Sequence, residues 1–275
     1  MSPSDVTLDG TQARSGNVDF RSVTPDEIAH YREYGWVHLK GFLPARRVHA
    51  LLSYAKERMG EDGTISPIRG KFSFFNSWPV QEPDHPEIGP IIRHYGRAAV
   101  ALRNLLRSPG IRYFKDSFGV KLPSKNSGGH GRSDWHQDFA AQVADRSGGM
   151  TFWTPLTDMG PEKGTMAFLN KSHQQGVMGD YRTYGDGNLL DVYPELIETC
   201  PSSGYLSLSA GDVTVHSDLC VHAAGENSTD GPRWTYLLQL SPADARWTGG
   251  PAVSFDTSSL QHLGTLDEER FPIIA

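Results

Sequence analysis

The sequence predicts a mainly β protein, a jelly roll or barrel, with helices confined to its N-terminal third. Two patterns predict this. Helical periodicity is strong before Gly110 and absent after it, and from Ile111 onward about eight short β-prone runs alternate with glycine, proline and polar clusters. That many short strands is the signature of a sandwich or closed barrel. A decorated barrel reaches 275 residues without a second domain, so residues 20–275 are expected to form one domain behind a polar, aperiodic tail over 1–19.

The elements follow in order. Thr24-Pro25-Asp26-Glu27 combines an N-cap, a proline at the first helical position and a capping-box glutamate. The helix it opens carries Ile28, Tyr31 and Tyr34 and stops at Gly35. Trp36-Val37-His38-Leu39 alternates as a short strand. Residues 44–59 place Val48, Leu51, Leu52 and Ala55 on one helical face and end at Gly60. A third amphipathic helix is expected over 86–107, closed by Pro109-Gly110. The expected strands are 112–120, 135–140, 150–156, 165–169, 205–208, 213–216, 219–222 and 234–240, and the Gly/Ser-rich stretch 124–133 is a flexible loop.

Composition narrows the function. A net charge of −6 and a pI near 6.0 come from dispersed charges, and no basic cluster offers a footprint for nucleic acid. No stretch approaches the roughly 18 apolar residues of a membrane span, and the first thirty residues lack an apolar leader, so a cytoplasmic protein with a small-molecule substrate is expected. Cys200 and Cys220 are too few for a disulfide framework and read as buried thiols. The sequon at Asn227 reads as part of a polar turn.

Chemistry concentrates in two places. Trp135-His136-Gln137-Asp138 sets an imidazole and a carboxylate two positions apart, on one face if the segment is a strand. Alone, that spacing equally describes a hydrogen-bonded strand pair. The second place is His222, followed by a turn-rich stretch and then Arg233. A hairpin centred between Asn227 and Ser228 would set 222 opposite 233, about 5 Å apart at Cβ. His216 is the competing ligand, but it lies seventeen positions from Arg233 and loses that pairing. Two histidines and one carboxylate leave three of six positions open, as iron(II) oxygenases require, whereas closed zinc sites prefer four ligands rich in cysteine. In such a site 2-oxoglutarate chelates iron(II), O2 takes the remaining position, and the planar fork of Arg233 suits the distal carboxylate.

These residues resemble the phytanoyl-CoA dioxygenase family: His136-x-Asp138, His222, and an arginine eleven residues later. Gly35-Trp36-Val37, Gly41-Phe42-Leu43, Trp153-x-Pro155-Leu156-Thr157-Asp158, Gly164-Thr165-Met166-x-Phe168 and Ser172-His173 are similar to family landmarks in the same order, covering roughly residues 24–241. The resemblance implies a double-stranded β-helix core, the cupin-like form of the jelly roll, flanked by helices. It implies iron(II) and 2-oxoglutarate dependence and oxidation of an unactivated C–H bond, with succinate and carbon dioxide released. The outcome would be hydroxylation, or a diverted result such as epimerisation, desaturation or cyclisation. It also makes Trp153 a candidate wall for the co-substrate, although a large aromatic in a strand is equally a core residue. Asp138 argues against the halogenating relatives, in which a small residue replaces the carboxylate. The 124–133 stretch and the aromatic run Phe72-x-Phe74-Phe75-x-x-Trp78 depart from the family and carry no acyl-CoA-binding pattern; the run reads as a hydrophobic loop packed on the barrel, or as a wall of an apolar substrate pocket. The expected role is therefore a tailoring oxygenase of a bulky natural product, as in antibiotic biosynthesis. The alternatives are a fatty acyl-CoA hydroxylase and a non-catalytic jelly-roll binding module.

Overall fold

The computed structural model describes residues 20–67, 75–103, 110–126, 131–179, 187–250 and 256–275. The expected tail 1–19, Phe72, Phe74 and the centre of the 124–133 loop lie outside the described residues.

Local chemistry sets the N-terminal helices. In α1 (Pro25–Tyr34) the Thr24 side chain accepts from the Glu27 amide, and the Glu27 carboxylate accepts from the Thr24 amide in return. The helix ends because Gly35 takes φ +83, and a Cβ there would lie 2.3 Å from Nδ1 of His173. The chain turns directly into β1 (Trp36–Leu39). Helix α2 (Ala45–Met59) buries Val48, Leu51, Ala55 and Met59 along one stripe. After β2 (Phe75–Pro79), α3 (Gly89–Leu102) buries Ile91, Ile92, Tyr95, Ala98, Ala99 and Leu102. This helix begins later than the expected residue 86 because residues 82–88 make turns that hand their last carbonyls to its first amides. No described helix is long and apolar enough to cross a membrane.

The remaining strands are β3 (Ile111–Lys121), β4 (Ser133–His136), β5 (Met150–Pro155), β6 (Met166–Phe168), β7 (Val213–Ser217), β8 (His222–Ala224) and β9 (Arg233–Pro242). Short helices α4 (Leu189–Val192) and α5 (Leu196–Thr199) lie between β6 and β7. Antiparallel pairing yields a six-stranded sheet, β1-β7-β5-β9-β3-β2, and a three-stranded sheet, β4-β8-β6.

Alternation along the strands decides what each face covers. Phe152, Val213, Val215, Tyr236, Leu238 and Leu240 point to the helices and join one core cluster with Leu51, Ile92 and Tyr95. The Tyr95 ring stacks on Phe152 at 4.7 Å between centroids. The other face of the large sheet sends Trp153 and Leu237 into a second cluster with Met166, Phe168 and Ala224 of the small sheet. The two sheets thus face one another as a jelly roll, with helices against the outer face of the larger one. Burying each large apolar side chain contributes about 1.5–3 kcal/mol, so the face of β5, β7 and β9 turned to the helices is apolar, while the face turned to the small sheet mixes Trp153 and Leu237 with polar side chains.

Five further expectations need correction. Residues 219–222, read as a strand, are a turn as far as Val221, and β8 begins only at His222. Residues 75–79 form an edge strand paired with β3 rather than a loop; Pro79 is tolerated there because an edge position leaves its missing amide without consequence. Residues 205–208 form no strand, and only Leu208 makes a bridge, to Met159. The 135–140 strand stops at His136, and Asp138–Ala141 is a 3-10 turn, so His136 and Asp138 do not share a strand face. No hairpin joins His222 to Arg233: His222 pairs with His136 and Phe168 in the small sheet, while Arg233 pairs with Lys121 in the large one.

Candidate metal centre

The small sheet brings the two histidines together. His136 and His222 are cross-strand partners, with ring centroids 4.3 Å apart. Each ring is oriented from behind by a carbonyl two residues earlier: Nδ1 of His136 lies 2.6 Å from the Asp134 oxygen, and Nδ1 of His222 lies 2.9 Å from the Cys220 oxygen. A carbonyl only accepts, so Nδ1 carries the proton and Nε2 of each ring carries the lone pair. The 3-10 turn after β4 then carries Asp138 inward, where Oδ1 lies 3.8 Å from Nε2 of His136 and 3.7 Å from Nε2 of His222. The three ligand atoms lie within 4.8 Å of one another, with Asp138 and His222 buried and His136 half-buried.

Electrostatics suit a cation at this point. Burial alone would raise the Asp138 carboxyl, yet the surrounding His222, His216 and His136 hold it well below its ordinary range. Burial, reinforced by the neighbouring imidazoles, pushes His222 well below the usual histidine value. The result is a neutral His222 imidazole beside an ionised Asp138, the protonation state a metal needs of those two groups.

Arg233 lines the same cavity from the facing sheet. It is 2% exposed, its Nη1 donates to the Gly164 carbonyl, and its guanidinium carbon stands 5.2 Å from the centre of the Trp153 ring. Its Nε is buried without a partner among the described residues. Burial lowers the Arg233 pKa to about 9. Its cross-strand neighbour Lys121 is also buried, donating to the Gly225 carbonyl at 2.6 Å, and burial followed by the Arg233 charge depresses it strongly. The cavity, about 190 Å³, is lined by His136, Asp138, His222, Trp153 and Arg233, with Phe75 at one wall. Trp153 both packs between the sheets and faces this space.

All five residues singled out from the sequence therefore border one cavity. Gln137, on the other side of the turn, is a structural cross-link: its amide donates to the Gly176 and Leu219 carbonyls and accepts from the Met178 amide. The sequence reading missed Thr151, Gln239 and the contact of His216 with Asp138, all three of which line the cavity. Period-two alternation could have found them, because Thr151 is two positions from Trp153 and Gln239 is six from Arg233. A larger cavity of about 480 Å³ beside Arg32, Arg146 and Asp218 is lined by none of His136, Asp138 and His222. Cys200 and Cys220 are buried free thiols.

The sequence profile of the phytanoyl-CoA dioxygenase (PhyH) family matches residues 31–235. Among solved structures, the fold is similar to the non-haem α-ketoglutarate-dependent carbocyclase SnoK from nogalamycin biosynthesis, with a TM-score of 0.75 and 24% identity over 92% of this chain and 97% of that one. It is similar to the epimerase SnoN in complex with Fe3+, α-ketoglutarate and nogalamycin RO, with a TM-score of 0.71 and 24% identity over 91% and 98% of the two chains. It is also similar to EvdO2 from Micromonospora carbonacea var. aurantiaca complexed with 2-oxoglutarate, with a TM-score of 0.61 and 21% identity over 86% and 98%. A comparison with curated protein sequences gives no match. At these identities the solved structures establish the jelly-roll fold, and the profile match over most of the chain establishes kinship: the chain belongs to the phytanoyl-CoA dioxygenase family of iron- and 2-oxoglutarate-dependent enzymes.

Proposed function

We propose that this enzyme oxidises an unactivated C–H bond of a bulky small-molecule natural product, with iron(II) held by His136, Asp138 and His222 and 2-oxoglutarate anchored by Arg233. One observation carries this assignment. A guanidinium 2% exposed, with no carboxylate partner among the described residues, borders the same cavity as a His-Asp-His set whose ligand atoms lie within 4.8 Å of one another. A buried, unpaired cation costs several kcal/mol unless an anion arrives to share the site.

The residues fit both groups. The donor set is imidazole and carboxylate without thiolate, which suits iron(II) and leaves coordination positions open. Iron(II) with 2-oxoglutarate and O2 supplies the oxidising power, coupling decarboxylation of the co-substrate to cleavage of the C–H bond. The chain supplies the rest. Asp134 and Cys220 hold the imidazoles in the ligating tautomer, Arg233 grips the distal carboxylate, and Trp153, Met166 and Leu237 keep the wall between the sheets apolar. Similarity in fold to SnoK and SnoN supports a natural-product substrate and leaves open a diverted outcome of the kind their names describe, carbocyclisation or epimerisation.

The test is anaerobic reconstitution with iron(II), followed by succinate measurement with and without 2-oxoglutarate, oxygen and candidate substrates. Wild-type protein is expected to bind one equivalent of iron and to release succinate only when all components are present. His222→Ala is expected to lose both iron and turnover. A binding module would retain ligand affinity in that variant, and that result would overturn the assignment. Side-by-side turnover of free substrate and acyl-CoA thioester separates the tailoring role from an acyl-CoA hydroxylase.

A further inference from the structure

Oδ1 of Asp138 faces the two imidazoles, so what occupies the other oxygen decides how the carboxylate ligates. Three side chains converge on Oδ2. Thr151 Oγ1 donates at 2.5 Å, Gln239 Nε2 at 3.2 Å, and His216 Nε2 lies at 3.3 Å. These residues occupy one row of the large sheet. In the ladder Thr151 on β5 pairs with His216 on β7 on one side and with Gln239 on β9 on the other. Alternation turns all three toward the cavity, and adjacent strands about 4.8 Å apart deliver three donors to a single atom.

We propose that Thr151, His216 and Gln239 form a three-donor clamp on Oδ2, positioning Asp138 to ligate the metal through Oδ1 alone. The clamp matters only if His136, Asp138 and His222 hold iron, so it rests on the function proposed above. Its internal chemistry is consistent. An ionised carboxylate only accepts, so His216 must carry its proton on Nε2, the reverse of the tautomer in His136 and His222. Nδ1 of His216 is correspondingly buried with no hydrogen-bond partner, and its ring packs 4.1 Å from that of His222. The same logic orients Gln239, whose Nε2 also lies 3.2 Å from Thr151 Oγ1 while its Oε1 is left without a partner. With three donors on Oδ2, no lone-pair direction is left there for a metal. A carboxylate ligating through both oxygens would take two of six positions. Held to one, it leaves three, the number that a chelating oxo acid and O2 need.

Thr151→Val removes the shortest donor and keeps the β-branched shape; Thr151→Ser restores the hydroxyl; Gln239→Met removes a second donor at a less buried position. The readouts, taken without oxygen on the full chain, are iron(II) affinity, the visible charge-transfer band that forms when 2-oxoglutarate chelates iron(II), and the melting temperature of metal-free protein. Thr151→Val is expected to weaken iron(II) binding about 10- to 100-fold, the usual effect of losing a group that orients a metal ligand. The band should shift, Thr151→Ser should restore both readouts, and the metal-free melting temperature should hold. Should Thr151→Val lack a cooperative melt, Gln239→Met carries the same comparison. Wild-type iron affinity and an unshifted band in both Thr151→Val and Gln239→Met would overturn the clamp alone. Wild-type protein that binds no iron and forms no band would instead overturn the proposed function.

Discussion

A guanidinium as deeply buried as that of Arg233 carries a desolvation cost that one carbonyl and one aromatic face do not offset, which makes its partner a residue-scale question. Arg233→Lys keeps the charge and removes the planar fork and the stacking on Trp153. A hydrogen bond to a charged group contributes roughly 1.5–3 kcal/mol, so KM for 2-oxoglutarate is expected to rise about 10- to 100-fold in this variant. The kcat at saturating co-substrate should change far less, and an unchanged KM in steady-state assays would place the distal carboxylate elsewhere. The residues themselves were legible in the sequence, because His-x-Asp and a later His with Arg are sparse chemical patterns. The spacing of eleven suggested a hairpin, whereas His222 and Arg233 sit in different sheets and meet because the sheets face each other. Such a contact has no sequence period, and the convergence of Thr151, His216 and Gln239 on Asp138 likewise rests on strand register, although alternation alone places Thr151 on the face of Trp153 and Gln239 on the face of Arg233.

At the scale of elements, the link between the sheets passes through the turn before β6. The Gly164 carbonyl accepts from Arg233, and Gly164 itself has φ +74 with a virtual Cβ only 2.3 Å from the Gly225 carbonyl oxygen. Gly164→Ala imposes a left-handed penalty of about 1–2 kcal/mol and, in addition, pushes the turn away from residue 225. The expected outcome is lower stability in urea unfolding together with weaker 2-oxoglutarate binding, because the displaced carbonyl is the one that holds the guanidinium. Stability loss with unchanged co-substrate binding would show that Arg233 does not depend on this turn. Elements built by local signals were the ones readable in advance. The capping box and Gly35 bound α1 as expected. Strand β2 was missed because its half-buried edge position imposes no apolar alternation on Phe75-Asn76-Ser77-Trp78-Pro79. Residues 205–208 were over-read because β-prone composition forms a strand only where a partner strand is available.

Across the whole molecule, two buried titratable groups outside the His136, Asp138 and His222 set pull the pH dependence of stability in opposite directions. His94 on α3 is stacked between Phe20 and Phe42, at 4.3 and 4.4 Å, and burial lowers it from 6.5 to about 4. Asp218, after β7, accepts from the Gly148 and Gly149 amides, and burial nevertheless raises it from 3.8 to about 7. Between about 4 and 6.5 the unfolded chain binds a proton at His94 that the folded chain refuses, so this group makes stability fall as pH falls. Between 3.8 and about 7 the folded chain keeps a proton on Asp218 that the unfolded chain has released, so this group makes stability fall as pH rises. Each slope is at most about 1.4 kcal/mol per pH unit, and over the shared window the two offset one another. Asp218→Asn leaves His94 unopposed, so stability should decline on acidification from pH 6.5 to 4.5 more steeply than in wild type. His94→Phe leaves Asp218 unopposed, so stability should decline over the same interval as pH rises, relative to wild type. Urea unfolding of metal-free protein across that interval reads both slopes. Parallel stability curves for wild type and both variants would mean that neither group titrates differently in the folded and unfolded chains.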